Sequence, residues 1–546
     1  MTLHHRPETA HEIADRASLS ALMICLAREL AAIPPGAVVW RFPVAQGWLE
    51  AQMARPLTTG LPPVAALIHQ TDRGAQAIGA GRALALLLDQ LCDDHPLTGP
   101  ELAHRIRASR SRMAALVAQR LAGAEDAVEF LAAEQALIFG HWMHPAPKFL
   151  GGISGAEERA VTPDWRGALR LHGLAVAGDL LETAGPFALP GFAEDVLPVH
   201  PLTWDRLQRR AEVQALLACG AIRDLGPRGP VWQATSSVRT LWAAESPWMV
   251  KVSLPVVITN SERLNKRHEL LAGAAMAAHL AGLKGRFGAL RFVTDPAWAT
   301  LRLPSMVDGR AAESGFEIIL RENPYRSPRG GAVVQVAALA APGVGAAPGM
   351  LARLLAGQDA ARWFAAYLEV AVAPLLRLYD ATGIAFEAHQ QNVLLALENG
   401  LPVRADLRDN QGFYLVEDMA PPALRAIPHL CYARAEAEEA LAYTLLVNQV
   451  FGLVHRLDVE GLLPEAQALA ALARLLAGLA ETLSGQGGRL CADWLRAPHL
   501  PAKGNLLTQL GGVDELHLPG ERPPAIRLPN PLLAYGSATR SLCDAL

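Results

Sequence analysis

The sequence predicts an α+β fold, rich in helix and carrying antiparallel sheet. Three observations predict it. Asn399-Gly400 lies between the apolar runs 393–397 and 401–407, the strongest short-range signal for a β-hairpin. Between Pro247 and Asn260, the residues Val250, Val252, Leu254, Val256 and Ile258 alternate with the others, as a half-buried strand requires. Elsewhere Leu and Ala recur three and four residues apart, as in 83–88 and 113–130, which is the period of a helix with one apolar face.

Residues 17–140 read as mainly helical, and a Pro/Gly-rich loop follows over 141–155. Residues 160–330 read as mixed, with short strands and a few helices. The strand 247–260 feeds a helix expected over 262–280. Residues 331–356 are rich in Ala, Gly and Pro and read as a hinge. Residues 357–546 read as helical again, around the hairpin. A chain of 546 residues exceeds one hydrophobic core, so roughly two to four domains are expected. The organisation expected is three domains, 1–165, 166–335 and 336–546.

Charge and composition narrow the function. The net charge is −4 and the pI about 6.5, which argues against a nucleic-acid partner. The arginines 105, 107, 110, 112 and 120 read as the solvated face of a helix. The polar start of the chain carries no signal-peptide pattern, and no run of about 20 apolar residues suggests a membrane span. Six cysteines are scattered without a C-x-x-C pair. That is the pattern of a reduced, cytoplasmic protein without a disulfide framework.

The hairpin brings polar residues to one sheet edge. With Asn399-Gly400 as its two-residue turn, Asn392 faces Leu407 and Gln390 faces Asp409. Period two then points Gln390, Asn392 and Asp409 the same way. His389 and Glu387 lie just before the first strand. Such an oxygen-rich edge suits Mg²⁺, which takes a few protein oxygens plus substrate phosphates.

Two further segments read as anion sites. Thr235-Ser-Ser-Val-Arg-Thr240 sets four hydroxyls and an arginine before a strand, donors suited to phosphate oxygens. Lys251 lies on the alternating strand, which Thr259, Asn260 and Ser261 close. A helix starting after them would offer free N–H groups and a positive dipole end. Arg263, expected in its first turn, is placed for a carboxylate or phosphate. The loop Gly140-His-Trp-Met-His-Pro-Ala-Pro-Lys148 is rigid by its prolines, so His144 and Lys148 are expected to be presented rather than buried.

Taken in order, these segments resemble the NRPS-independent siderophore synthetases, the IucA/IucC family. The resemblance rests on the loop 140–148, Leu197-Pro-Val-His-Pro201, Thr235–Thr240, Lys251-Val-Ser-Leu with Ile258-Thr-Asn-Ser261, Arg321-Glu-Asn-Pro324, His389-Gln-Gln-Asn392 and Arg408-Asp-Asn-Gln-Gly412. It spans roughly residues 130–510. In the first motif the family has His and Arg where this chain has Trp142 and Leu150.

The resemblance implies a hand-like thumb, fingers and palm, a distantly kinase-like nucleotide cleft and a cytoplasmic homodimer. It implies ATP and Mg²⁺ as cofactors, and a carboxylic acid such as citrate as substrate. The acid is adenylated, and an amine or hydroxyl nucleophile then displaces AMP. On the matching positions, ATP would be held by Ser236, Ser237, Arg239, Thr240, Lys251, Asn260 and Asn392. Glu387, Asn392 and Asp409 would hold the metal. Thr259, Arg263, His389 and Lys503 would hold the carboxylate, with His389, Arg263 and Lys251 catalytic.

Two other readings compete. A kinase-like phosphotransferase fits the His…Asn…Asp order, but Glu387 is the only nearby carboxylate before Asn392. An iron-handling reductase ranks last, because Cys491 and Cys543 stand alone and an iron–sulfur centre needs clustered cysteines.

Overall fold

The computed structural model describes residues 8–512 and 524–536, except 32, 124, 260, 310, 410 and 411. The N-terminal part contains the expected helices Ala10–Glu29, Ala80–Asp94 and Gly99–Leu121. Thr9 opens the first with a capping box, its side chain accepting from the Glu12 N–H while Glu12 reaches back. The helical reading missed a four-stranded antiparallel sheet: Val39–Val44, Gly47–Met53, Val64–Thr71 and Gly74–Ala77. Its signal was short. Trp40, Phe42 and Val44 alternate inward against exposed Val39, Arg41 and Pro43.

The arginine run is not simply a solvated face. Arg112 pairs with Glu158 and Asp164, and Arg120 with Asp126, each arginine side chain 10% exposed or less. The proline loop differs too. His144 is buried, and Lys148 pairs with Asp164 at 2.7 Å. The prolines fold the loop inward instead of presenting it.

The middle of the chain builds an eight-stranded antiparallel sheet. Its inner strands run Ile318–Glu322, Trp248–Val252, Thr240–Trp242 and Ile222–Ala234. The single strand expected over 247–260 breaks at Ser253. Trp248–Val252 stays in this sheet, while Leu254–Ile258 joins a second sheet with Leu150–Gly151 and Ser261–Arg263. Alternation alone cannot see such a break, because the inward face stays apolar on both sides of it.

Glu317, almost fully buried, holds the junction. Its carboxylate accepts from the Ser253 and Ser314 hydroxyls and from the Ser314 and Gly315 N–H groups. The helix expected from Glu262 begins only at Arg267, with Lys266 as its cap. Arg263 therefore sits in a strand, away from any helix dipole.

The later part wraps helices around a four-stranded sheet ordered Leu290–Val293, Leu401–Arg408, Val393–Glu398 and Val333–Gln335. Residues 331–356 are not a hinge. Val333–Gln335 pairs with the hairpin, and Val334, Gln335, Val336 and Leu339 are buried. Small residues there allow close packing.

The hairpin turn forms at Asn399-Gly400, with φ of 50° and 80°, the positive values that a type I′ turn demands. A bulge lies between Ala396 and Leu397. Beyond it the pairing slips by one residue, so Val393 faces Leu407. Asn392 thus lies across from Arg408, whose N–H donates to the Asn392 carbonyl at 3.1 Å, and not across from Leu407. The expected common face of Gln390, Asn392 and Asp409 is lost, because one step of register reverses side-chain direction.

Glu317→Ala leaves several donors in the Ser253 junction without an acceptor. It is expected to lower unfolding free energy by about 2–4 kcal/mol, read from denaturant midpoints. A shift equivalent to less than about 0.5 kcal/mol would show that the junction does not depend on it.

Candidate functional site

Where the eight-stranded sheet meets the hairpin, three cations converge on one carboxylate. Lys251 sits in Trp248–Val252 with apolar Val250 and Val252 on either side. Those neighbours face the core, so alternation turns Lys251 to the other face. Its ammonium lies 2.7 Å from Asp409 Oδ1. Arg321 comes from the neighbouring strand, where it pairs in register with Met249. Its guanidinium is 3.1 Å from the same oxygen and grips Asp295 with two bonds of 2.7 and 2.9 Å.

Asp409 follows the hairpin's second strand with φ 72°. This left-handed turn swings its side chain out of the ladder and across the cleft. Burial alone would raise the Asp409 pKa. Lys251 and Arg321 overcome that and hold it well below the ordinary carboxylate range, with Arg239 adding to the effect. Burial also pulls the Lys251 ammonium below its usual value, against the pull of Asp409.

The hydroxyl-rich segment forms a tight loop between Ile222–Ala234 and Thr240–Trp242. Thr235 Oγ1 donates to the Thr240 carbonyl at 2.7 Å, and the Thr240 N–H donates to Ser237 Oγ at 3.0 Å. Val238 has φ 65°, a strained conformation for a β-branched residue. Two anchors hold this loop. The Ser236 N–H and hydroxyl both donate to Glu134 Oε2, while Arg408 pairs with Glu134 at 2.8 Å and Gln391 Nε2 donates to Ser236 Oγ. Arg239 donates to Asn265 Oδ1 at 3.0 Å, and Asn265 Nδ2 in turn donates to the Lys251 carbonyl. The loop, Lys251 and the hairpin are thereby one connected framework.

Thr259 and Arg263 meet on the second sheet. Arg263 Nη2 lies 3.3 Å from Thr259 Oγ1 and donates to the Ile258 carbonyl. Thr259 has φ 55°, and Arg239 reaches the Arg263 carbonyl. Asn260 lies outside the described residues.

On the hairpin side, Asn392 Nδ2 donates to the Glu387 carbonyl at 3.1 Å. The Glu387 carboxylate stands over the turn 409–412; a Cβ on Gly412 would come within 2.5 Å of its Oε2. Gln390 turns away and bonds Asn448.

His389 is half-buried, and its pKa is lowered to about 4. Burial is the main cause, Asp409 opposes it, and Arg408 and Lys503 add to it. His141 remains exposed to solvent within the same region. Depth in the protein and the charges of His144, His389 and Lys503 push it below the ordinary imidazole value. Its Nε2 is 2.8 Å from Asn448 Nδ2. These mutual influences link Lys503, His389 and His141, from three distant stretches of chain.

The structure thus joins Lys251, Asp409, Arg239 and the 235–240 loop. It pairs Thr259 with Arg263, and Glu387 with Asn392, and the charge of Lys503 reaches His389. Sequence reading missed Glu134, Asn265, Asp295, His141 and Asn448 as supports. Arg321 had a signal, because the segment 321–324 stood out. Glu134 and Asn448 had none, since a single polar residue within an apolar helix resembles any other.

Hydroxyls, backbone donors and clustered cations meet here, with carboxylates and an amide along one edge, a donor set suited to phosphate or carboxylate oxygens. Comparisons with known proteins give the class. Residues 129–187 and 191–341 match the IucA/IucC family, and residues 361–518 match the family described as ferric iron reductase FhuF-like transporter.

The chain is 32% identical over 577 residues to the rhizobactin siderophore biosynthesis protein RhbC of Rhizobium meliloti, covering 94% of this chain and 97% of that protein. It is 30% identical to the spermidine-citrate ligase of Bacillus anthracis, covering 74% and 73%. ATP-bound aerobactin synthetase IucA from Klebsiella pneumoniae superposes with a TM-score of 0.84 at 24% identity, over 95% of this chain and 99% of that one. The chain belongs to the IucA/IucC family of siderophore synthetases.

Several imidazoles have folded pKa values below the ordinary 6.5, among them His389 and His455 at about 4 and His141 and His200 at about 3. Below pH 6.5 each takes up its proton in the unfolded chain before the folded one, so stability rises with pH in that window. Stability is therefore expected to be full above pH 6.5 and to fall as the pH drops towards 4. His389→Asn should reduce that slope by about one proton in denaturant titrations. An unchanged slope would contradict the environment described for His389.

Proposed function

We propose that this chain is an ATP-dependent siderophore synthetase that adenylates a carboxylate of citrate or a related acid. It then condenses the acid with an amine or hydroxyl nucleophile, releasing AMP and pyrophosphate. One observation carries the reading: Lys251, Arg239 and Arg321 gather about Asp409, with Asp295 on the far side of Arg321, beside a hydroxyl loop, in a chain whose relatives include citrate ligases.

The surplus positive charge matches a triphosphate. Ser236, Ser237, Arg239 and Thr240 bind and orient the phosphates of the substrate ATP, with Asn260 and Asn392 contributing to the nucleotide site. Lys251 is engaged by Asp409. A phosphate oxygen would compete for that ammonium, leaving Asp409 held by Arg321.

The donor set fits Mg²⁺, which needs only one or two carboxylates beside substrate phosphates. Gly412 leaves room for the Glu387 carboxylate over the Asp409 turn. Glu387, Asn392 and Asp409 would hold it, and the ion supplies neutralisation of phosphate charge.

Thr259 and Arg263 hold the reacting carboxylate, with His389 and Lys503 on its other side. Holding acid and α-phosphate together converts a bimolecular encounter into a local one, worth about 7–11 kcal/mol in favourable cases. His389, neutral at pH 7, can accept the proton that an amine or hydroxyl nucleophile sheds as it bonds to the acyl carbon and AMP leaves. The supporting fold reading is a hand of thumb (1–165), fingers (166–335) and palm (336–546), with a distantly kinase-like cleft. The family resemblance further supports a cytoplasmic homodimer.

Arg263→Ala is expected to lower acid-dependent ATP–pyrophosphate exchange by at least about a hundredfold, the loss typical of a charged pair made to substrate. ATP binding by calorimetry should be kept. Exchange near the wild-type rate would exclude Arg263 as the carboxylate clamp. Asp409→Ala should instead weaken Mg²⁺–ATP binding, and unchanged affinity would remove Asp409 from the metal set.

A further inference from the structure

The segment Arg321-Glu-Asn-Pro324 has no part in the roles assigned above except as charge beside Asp409. Two of its side chains tie down the strand end. The Glu322 carboxylate accepts the Thr294 N–H at 3.1 Å and the Thr294 hydroxyl at 2.8 Å. Asn323 Nδ2 donates to the Ala243 and Ser246 carbonyls. Arg321 lies between them, its side chain only 3% exposed.

Arg321 bolts two sheets together. Its own strand, Ile318–Glu322, belongs to the eight-stranded sheet, next to the strand of Lys251. Its two partners leave the other sheet. Leu290–Val293 runs parallel to Leu401–Arg408, with Val293 opposite Arg408, so the chain exits both strands at the same level. Asp295 lies just past the first exit and Asp409 just past the second. Arg321 Nε and Nη2 grip Asp295 at 2.7 and 2.9 Å, and Nη2 also reaches Asp409 Oδ1 at 3.1 Å. The two carboxylates differ in access. The Asp295 side chain is fully buried, whereas that of Asp409 is 32% exposed. Of the two, only Asp409 can receive an ion from solvent, and Asp295 serves to hold the arginine.

Lys251 and Arg321 share one oxygen of Asp409 but are not equivalent. Among the described residues Lys251 pairs with no other carboxylate, and an ammonium on a four-carbon stem swings readily. The planar guanidinium, gripped at two nitrogens by Asp295, cannot swing without breaking that pair. Asp409 itself needs a hold, because its φ of 72° is a conformation that residues with a side chain rarely adopt.

We propose that Arg321, locked by Asp295, is the positioning residue of Asp409: it keeps that carboxylate aimed at the metal while Lys251 is given up to phosphate. The proposal rests on the metal and nucleotide reading above. Partners that orient a metal-binding side chain typically change metal affinity by about ten- to a hundredfold.

Asp295→Asn removes the charge that locks the guanidinium, and Arg321→Lys keeps the cation without the fork. Mn²⁺ is the probe, and its binding to protein carrying a non-hydrolysable ATP analogue is read by electron paramagnetic resonance. No protein-bound Mn²⁺ in the wild type rejects the metal reading itself. The proposal expects a Mn²⁺ dissociation constant raised about tenfold or more in either variant, with affinity for the analogue in the absence of divalent metal within about threefold of wild type. A merely structural role would lower the denaturant midpoint and leave the Mn²⁺ constant of the folded protein alone. A Mn²⁺ constant within twofold of wild type in a folded variant overturns the proposal. Should neither variant fold, wild-type crystals with Mg²⁺ and the analogue decide: the Arg321–Asp409 contact kept supports it, and Arg321 parted from Asp409 overturns it.

Discussion

The contact between Lys251 and Asp409 joins the eight-stranded sheet to the hairpin. One partner stands on the eight-stranded sheet and the other at the end of the hairpin, 158 residues later. Taken alone, a partly buried ion pair contributes little net stability, since desolvation offsets much of the attraction. Here Arg321, itself bound to Asp295, and Arg239 add positive charge to the same spot, so three cations face two carboxylates. A net positive charge of this kind suits a site that takes up anionic groups.

Around that pair the fold is arranged to fix donors before substrate arrives. The Glu134–Arg408–Ser236 contacts tie the 235–240 loop to the hairpin. Asn265 ties Arg239 to the backbone of Lys251. Glu317 holds the junction where one strand leaves its sheet for another, which sets the direction of Thr259 and Arg263. Pre-fixed donors cost little reorganisation when charge develops, which is the principal way such sites stabilise a transition state.

Much of this was legible in the sequence, and the failures have physical causes. The Asn399-Gly400 turn was readable because few residue pairs tolerate two positive φ values. The bulge after Ala396 was not, because nothing in an apolar strand marks an extra residue, and it moved Asn392 and Gln390 to new directions. Alternation from Val250 to Ile258 identified extended backbone but not the change of sheet at Ser253. Arg263 was found for its charge and misplaced in a helix, since the hairpin Leu254–Arg263 has no strong turn signal. The order of motifs singled out Lys251, the 235–240 loop and Asp409, which the fold brings together; it could not show Glu134 or Asn448, whose importance lies only in what they touch.

The central claim is that Lys251, Asp409 and the 235–240 loop bind a nucleotide triphosphate with its metal. A crystal structure of the protein with Mg²⁺ and a non-hydrolysable ATP analogue tests it most directly. The account predicts phosphate oxygens within hydrogen-bond distance of Lys251 and the loop, with the metal on Asp409. Nucleotide bound elsewhere, with the Lys251–Asp409 contact untouched, would contradict it.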